Sequence, residues 1–168
     1  KVRGVIRRKQ EDAQWINTVP YGYVITNQKK NTFEIVPDEA EVIRNIFQWY
    51  NDGWGYKKIA NHLTDLHIPT PRMKERERIE ARGDDYKRTC KPEWSIITVS
   101  GILTNDFYIG TLRQHKYQRN KINGDDVKLG EDHHIVFQKH HPAIVDDQVF
   151  AYAQQELQKR SKTNYRGV

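Results

Sequence analysis

The sequence predicts an α+β fold in which a helix-turn-helix-like helical core is flanked by β-hairpins and followed by a C-terminal helix. Two observations predict this class. Segments with apolar residues at helical spacing share the chain with short β-branched runs that flank polar turns. Four Trp, nine Tyr and five Phe in 168 residues supply large side chains for a hydrophobic core. We therefore expect a folded domain over residues 20–160, although 30% of all residues are charged.

The first segment, residues 1–19, is basic at its start. Its first ten residues, KVRGVIRRKQ, contain five Lys or Arg and no acid, which predicts a basic arm or the end of a helix. Pro20 then precedes two β-branched runs that flank the polar residues 27–31. This pattern predicts a hairpin with strands near residues 21–26 and 32–36.

Two helices are expected after the hairpin. Asp38 and Glu41 have the spacing of a capping pair at the start of a helix. Gly53, which can adopt the left-handed backbone conformation, is expected to end this helix after about Asn51. A second helix ends before Pro69, because residues that precede proline avoid helical geometry. Two helices joined by a short glycine turn form a helix-turn-helix candidate. The predicted buried face of the second helix is Ile59, Ala60, Leu63 and Leu66.

Residues 72–93 are expected to form a long exposed loop with some helical content. Between residues 72 and 91, eight Lys or Arg are interleaved with five acids and almost no apolar residues. A loop of this length inside a compact domain is uncommon and is usually functional or disordered.

A third helix is predicted after Trp94, with Ser95 as its N-cap and its end near Asn105. Its apolar face consists of Val99, Ile102 and Leu103, and the opposite stripe consists of Ile97, Ser100, Gly101 and Thr104.

The remaining elements are two strands and a helix. The strands are expected near residues 107–117 and 135–141, on either side of a polar turn at 123–126. The last helix is expected over residues 146–160, followed by a C-terminal linker at 161–168. Its predicted inward residues are Val149, Phe150, Ala153 and Leu157.

Three blocks of this sequence together resemble the recombinase domain of large serine recombinases, integrases and transposases. The first block is PYGY at residues 20–23. The last block continues into HPAIV at residues 141–145 and Phe150. The order and spacing of the blocks, over residues 20–160, are more specific than any single short motif. The positions of the second block are Pro37, Glu39, Ala40, Val42, Ile46, Phe47, Tyr50, Gly53, Ile59, Ala60, Leu63, Ile68, Pro69 and Thr70. The third block begins with Trp94, Val99, Ile102, Leu103, Asn105, Tyr108 and Gly110.

The resemblance implies a DNA-binding domain without catalytic residues. In that family a separate N-terminal domain supplies the nucleophilic serine, this domain reads the DNA site, and a zinc-ribbon domain usually follows. The chain begins at Lys1 rather than Met, so we expect a segment of a longer protein that lacks both of the other domains. Two features depart from the family pattern. Tyr56 stands where Ser or Thr often opens the second helix. Residues 72–93 lengthen the segment between Thr70 and Trp94, which is often short in the family.

The charge of the chain agrees with a nucleic-acid partner. Lys and Arg total 28 against 22 Asp and Glu, which gives a net charge of +6 and attracts polyanions. A basic surface that binds no nucleic acid fits this balance equally well. We expect a double-stranded recombination site as the partner, with recombinase protomers joined through the missing domains. We expect no membrane contact, because no apolar run of about 18 residues occurs.

The expected location is the cytoplasm, on the DNA of a bacterial host, for a bacterial or phage-encoded protein. The single Cys90 cannot form an internal disulfide, and the sequence shows no signal peptide.

Three sets of residues are candidates for DNA contact. The outward stripe of the third helix suits van der Waals or water-mediated contact in the major groove, because it carries no Arg, Asn or Gln. The cations of the arm suit contact with phosphates or with a narrow minor groove, and the long loop begins with two further cations. Each set is also compatible with an ordinary solvated surface. The candidates are Lys1, Arg3, Arg7, Arg8 and Lys9 in the arm, Arg72 and Lys74 in the loop, and Ser95, Ile97, Ser100, Gly101 and Thr104 in the helix.

No metal ion or other cofactor is expected. The pairs His133/His134 and His140/His141 fall in or near a predicted strand, where adjacent side chains point to opposite faces and cannot hold one ion together. The acidic pairs at residues 125–126 and 146–147 fit a turn and a helix cap. Three classes therefore remain open: a recombinase DNA-binding domain, a metal-dependent nuclease, and a protein-interaction module of a DNA-associated regulator.

The absence of a nucleophile paired with a base, and of a carboxylate cluster at usable spacing, predicts that the chain neither cuts nor joins DNA. Incubation with supercoiled plasmid, with and without Mg²⁺, is expected to leave the plasmid supercoiled. Nicking that co-purifies with the protein would support the nuclease class instead.

Overall fold

The computed structural model describes residues 2–12, 18–27, 32–119 and 125–164. The chain divides into two compact units and passes from one to the other after residues 43, 105 and 147. The strand-bearing unit comprises Lys1–Ile43 and Asp106–Asp147, and the helical unit comprises Arg44–Asn105 and Gln148–Val168. Both helices and antiparallel strands are present, which confirms the predicted α+β class.

The elements follow in this order along the chain. They are α1 (Val2–Glu11), β1 (Tyr23–Asn27), β2 (Thr32–Ile35), α2 (Pro37–Asn51), α3 (Tyr56–Asp65), α4 (Pro71–Ala81), α5 (Ile96–Leu103), a 3₁₀ helix (Asp106–Ile109), β3 (Leu112–Gln114), β4 (Tyr117–Arg119), β5 (Asp126–Lys128), a second 3₁₀ helix (Glu131–His133), β6 (Ile135–Phe137) and α6 (Asp147–Asn164).

The strands of the strand-bearing unit form three antiparallel pairs. β1 pairs with β2, β3 with β6 and β4 with β5. In the first pair Tyr23 lies opposite Ile35, and in the second Leu112 lies opposite Phe137. The first pair confirms the hairpin predicted after Pro20, although residues 28–31 of its turn lie outside the described residues.

The core of the strand-bearing unit is a cluster of aromatic rings around His141. Phe107 stacks on the imidazole of His141 with 3.8 Å between ring centroids, and Tyr23 meets the same imidazole edge-on at 5.2 Å. The Tyr108 hydroxyl donates a hydrogen bond to the carbonyl oxygen of Tyr21 at 2.8 Å. Tyr23, Phe107 and Tyr108 are each at most 2% exposed, so the buried hydroxyl of Tyr108 needs this internal partner.

Gly110 allows the chain to pass next to His141. Its φ is +88°, and a Cβ at this position would lie 2.7 Å from the carbonyl oxygen of His141. A side chain would therefore strain the backbone and also displace it.

The helical unit contains the end of α2 together with α3, α4, α5 and α6. Its core consists of apolar side chains that are at most 5% exposed, namely Ile46, Phe47, Tyr50, Ile59, Ala60, Leu63, Trp94, Val99, Ile102, Leu103 and Ala153. The Arg160 guanidinium on α6 donates to the carbonyl oxygens of Trp54 and Tyr50 at 2.8 and 2.9 Å. Tyr50 lies in the last turn of α2 and Trp54 follows that helix, so Arg160 attaches α6 to the C-terminal end of α2.

Several predicted boundaries are wrong for identifiable reasons. Leu66, predicted to be buried, is 52% exposed because α3 ends at Asp65 and His67 adopts a positive φ of 55°. Helix α2 begins at Pro37, so Asp38 lies in its first turn rather than at the cap. The last helix continues to Asn164, so the first residues of the predicted C-terminal linker are helical.

The strand predicted over residues 107–117 is replaced by three shorter elements. Phe107 and Tyr108 are both buried, which alternation along a strand does not allow, and a 3₁₀ helix places them side by side. The positive φ of His115 then separates β3 from β4. Asp126, predicted in a turn, begins β5, whereas residues 123 and 124 lie outside the described residues.

The loop predicted over residues 72–93 begins with a helix. Thr70 caps α4 by accepting a hydrogen bond from the Met73 amide, and Pro71 occupies a first-turn position that suits proline. Ion pairs one turn apart support a helix with no buried residue. The prediction of an exposed segment holds, but its first half is regular structure.

Residues 2–11 of the predicted arm form helix α1. Gln10 near its end is buried, and its carbonyl oxygen accepts from the Gln114 side chain at 3.4 Å. Residues 13–17 lie outside the described residues.

The His141 environment predicts a pH-dependent stability. The Phe107 carbonyl can only accept, so the His141 Nε2 atom, 2.6 Å away, donates to it. Burial lowers the pKa of His141 to about 4, despite that hydrogen bond. The unfolded chain therefore binds more protons than the folded chain between pH 6.5 and 4, and stability falls as pH falls through this window.

We expect the free energy of unfolding to drop by about 2 kcal/mol between pH 7 and pH 5, measured by urea denaturation. The variant His141→Gln is expected to flatten this dependence. The exposed His133 serves as the control, because His133→Gln should leave it unchanged. Equal pH dependence in all three proteins would contradict the assignment.

Candidate nucleic-acid interface

The position of α5 is fixed by the residue before its cap. Trp94 is 5% exposed, and its indole Nε1 donates to the carbonyl oxygen of Ile68 at 2.8 Å. The Trp94 amide donates to the Thr64 hydroxyl of α3 at 3.0 Å. At the other end, the Gln154 side chain of α6 donates to the carbonyl oxygen of Leu103 at 2.6 Å. Both ends of this eight-residue helix are thus held by neighbouring elements of the helical unit.

Ser95 is the N-cap of α5, as predicted. Its hydroxyl oxygen accepts from the Thr98 amide at 3.1 Å and lies 2.9 Å from the Thr98 hydroxyl. Val99, Ile102 and Leu103 are buried, which confirms the predicted apolar face. The cap hydrogen bond occupies the Ser95 hydroxyl, so this side chain defines the start of the helix rather than offering a free polar group.

The opposite stripe of α5 is open to solvent. Ile97 is 84% exposed, Gly101 and Thr104 are exposed, and Ser100 is half-buried. The Thr104 hydroxyl donates to the carbonyl oxygen of Ser100 at 2.9 Å, which leaves its methyl group and its oxygen lone pairs available. Ile96, which was missed as a candidate, is 47% exposed beside Ile97. The accessible surface is therefore aliphatic and small.

A groove of about 370 Å³ lies beside the start of α5. Arg72 of α4 and Lys91 of the following loop line it, as do Glu93 and Ile97. The remaining lining residues are Thr70, Pro71, Thr89, Trp94, Ser95 and Thr98. The structure thus brings the predicted candidate Arg72 together with Ser95 and Ile97.

The predicted candidate Lys74 is placed differently. Its ammonium lies 3.2 Å from the Glu77 carboxylate, one turn along α4, and the side chain is only 24% exposed. Arg76 and Glu80 form a longer pair at 3.9 Å. Lys74 is absent from the groove lining, so the two predicted loop candidates are not equivalent.

The cations of α1 belong to the strand-bearing unit. The Arg7 guanidinium forms an exposed ion pair with Glu11 at 2.9 Å. Arg8 and Lys9 are exposed. Lys1 and the side chain of Arg3 lie outside the described residues.

The prediction that His140 and His141 lie in a strand is wrong. His140 and His141 follow β6 rather than lying in a strand, and their Nδ1 atoms are 3.2 Å apart. Because the His141 Nε2 carries a proton, its Nδ1 accepts from His140. Among the residues that the structure describes, no three His, Cys, Asp or Glu side chains form a possible metal site. None of the described helices has the length and apolar character needed to cross a membrane.

Comparison with known proteins gives a matching family model, a curated relative and solved structures that resemble this chain. The family model described as Recombinase matches residues 37–160. A protein of Bacillus subtilis (strain 168) named "Putative DNA recombinase" is 30% identical over 161 residues, covering 88% of this chain but only 28% of that protein. A chain in a crystal structure of an LSR–DNA complex matches with a TM-score of 0.53 and 16% identity, over 96% of this chain and 38% of that chain.

A further solved structure concerns the attP site of a Listeria innocua prophage. It matches with a TM-score of 0.48 and 16% identity, over 95% of this chain and 52% of that chain. The chain therefore spans well under two thirds of the length of these proteins.

The capping role of Ser95 predicts a moderate stability effect. Ser95→Ala is expected to lower the free energy of unfolding by about 1 kcal/mol, because the Thr98 amide loses its acceptor. Ser95→Asp is the matched control and should retain the wild-type value, since aspartate caps equally well. Chemical denaturation of the three proteins measures both. Equal stability of all three would show that the cap does not support α5.

Proposed function

Because the chain belongs to the Recombinase family, we propose that it binds duplex DNA and that α5 reads a recombination site in the major groove. The outward stripe of α5 carries the proposal. Ile97, 84% exposed, projects from a short helix on which Ser100, Gly101 and Thr104 present only small side chains, so the backbone there can approach base edges closely. An aliphatic side chain in this position fits contact with thymine methyl groups.

We propose that the helix and the arm have different roles. The α5 stripe supplies sequence preference, whereas the cations of α1 supply general affinity through phosphates, which look alike at every position. Arg8 and Lys9 are better suited to this than Arg7, whose guanidinium already pairs with Glu11.

In the full-length protein this domain would position a serine site-specific recombinase on its site for strand exchange. Under this proposal, the nucleophilic serine and the contacts between protomers lie in parts of the protein beyond this chain. The family membership and the likeness to a chain from an LSR–DNA complex support this role.

Substitutions on α5 are expected to change specificity. Ile97→Ala and Thr104→Val should each lower the ratio of specific to random-sequence binding by roughly 1–3 kcal/mol, with little change in salt dependence. The site for this comparison is selected from random duplexes with the wild-type chain, and binding is measured by fluorescence anisotropy. Equal weakening on both duplexes would show that α5 is not the reader.

The double substitution of Arg8 and Lys9 by Ala is the contrasting variant. It should weaken all duplexes alike and lower the slope of log affinity against log salt by about 0.9 for each lost phosphate contact. Thermal melts establish that each variant is folded. Salt-independent affinity of the wild-type chain, or no binding at low salt, would contradict the proposed function and favour a protein-interaction module.

A further inference from the structure

Three hydrogen bonds attach the segment after α4 to that helix. The Tyr86 hydroxyl donates to the Glu75 carboxylate at 2.9 Å, and burial together with this bond raises the pKa of Tyr86. The Arg72 guanidinium donates to the carbonyl oxygen of Thr89 at 3.4 Å. The Thr70 hydroxyl donates to the carbonyl oxygen of Lys91 at 3.1 Å. The backbone that carries Lys91 is therefore held against the start of α4.

This attachment places two cations on the groove beside α5. Arg72 and Lys91 both line the groove, and both residues are exposed. Within the described part of the chain, neither forms an ion pair, in contrast to Lys74 and Arg76 on the same helix. Arg72 uses one guanidinium nitrogen for Thr89, so most of its five N–H donors remain available.

We propose that this groove holds a phosphate of the DNA backbone, contacted by Arg72 and Lys91 while α5 lies in the adjacent major groove. This inference rests on the proposed function and deepens it. The groove continues to Ile97, which belongs to the stripe assigned to base contact. A phosphate held here fixes the position of α5 relative to the base edges without reading sequence.

The charged side chains near the groove are expected to have different roles in phosphate binding. Lys74 and Arg76 contribute little, because Glu77 and Glu80 already neutralise them. Glu93 also lines the groove and is exposed, so its carboxylate opposes a bound phosphate. Net charge alone cannot produce this pattern, since removing either cation pair changes the charge of the chain equally.

The test compares two double variants with equal net charge on a 20-base-pair duplex at several salt concentrations. Arg72→Gln with Lys91→Gln is expected to lower the salt slope by about 0.9, the value for one lost phosphate contact. Lys74→Gln with Arg76→Gln should change the slope by less than half of that. Lys91→Gln alone, which removes an exposed side chain and retains the backbone carbonyl, should lower it in the same direction by a smaller amount.

Glu93→Gln is expected to change DNA affinity in the opposite direction. A variant that fails to fold cannot bind more tightly, so loss of folding does not explain this result. Glu93→Gln is expected to raise affinity by about two- to threefold for every sequence. Equal slopes in the two double variants, or weaker binding by Glu93→Gln, would overturn the groove proposal while wild-type binding and α5-dependent specificity persist. No binding by the wild-type chain would overturn the groove and the proposed function together.

Discussion

The anchoring of Trp94 is the interaction on which the candidate interface depends. Its indole is buried and donates to Ile68, while its amide donates to Thr64, whose hydroxyl in turn donates to the carbonyl oxygen of Ala60. The backbone entering α5 is thereby attached to α3 and to the turn that follows it. A buried indole N–H needs a partner, so this arrangement is costly to change. The rotation of α5 follows, with Val99 turned inward and Ile97 turned outward.

Charge pairing, rather than net charge, distinguishes the cations of this chain. A net charge of +6 attracts any polyanion, but it says nothing about which side chains are free to bind one. Arg7 and Lys74 each have a carboxylate within one helical turn, whereas Arg72 and Lys91 lie on the groove beside α5. Exposed ion pairs are weak, yet each phosphate contact made by a paired cation first requires that the pair is broken.

Local signals predicted much of the fold. The Ser95 cap and the spacing of Val99, Ile102 and Leu103 define α5 without reference to other elements, and the structure confirms them. The predictions failed where contacts between distant residues determine the local structure. Phe107 and Tyr108 are buried together around His141, which no alternation pattern encodes. Helix α4 has no apolar stripe, so the sequence predicted only some helical content there, although the cap at Thr70 and the spacing of its charges were present.

The candidate interface was only partly predictable. The outward stripe of α5 follows from helical periodicity, so it could be identified from sequence. Spacing alone puts Ile96 on the same side as Val99 and Leu103, and its 47% exposure arises because it lies at the very start of the helix. The groove could not be predicted, because a hydrogen bond joins Thr70 and Lys91 across 21 residues of sequence. Such a pairing has no local signature.

Affinity cleavage tests directly whether α5 lies in the major groove. Cys90→Ser removes the single thiol, and Ile97→Cys in that background provides one exposed attachment point for an iron–EDTA group. If α5 lies in the major groove, cleavage is confined to one position of the selected site, with the strand offset that is characteristic of that groove. A minor-groove offset, or cleavage spread evenly along the duplex while binding persists, would contradict it.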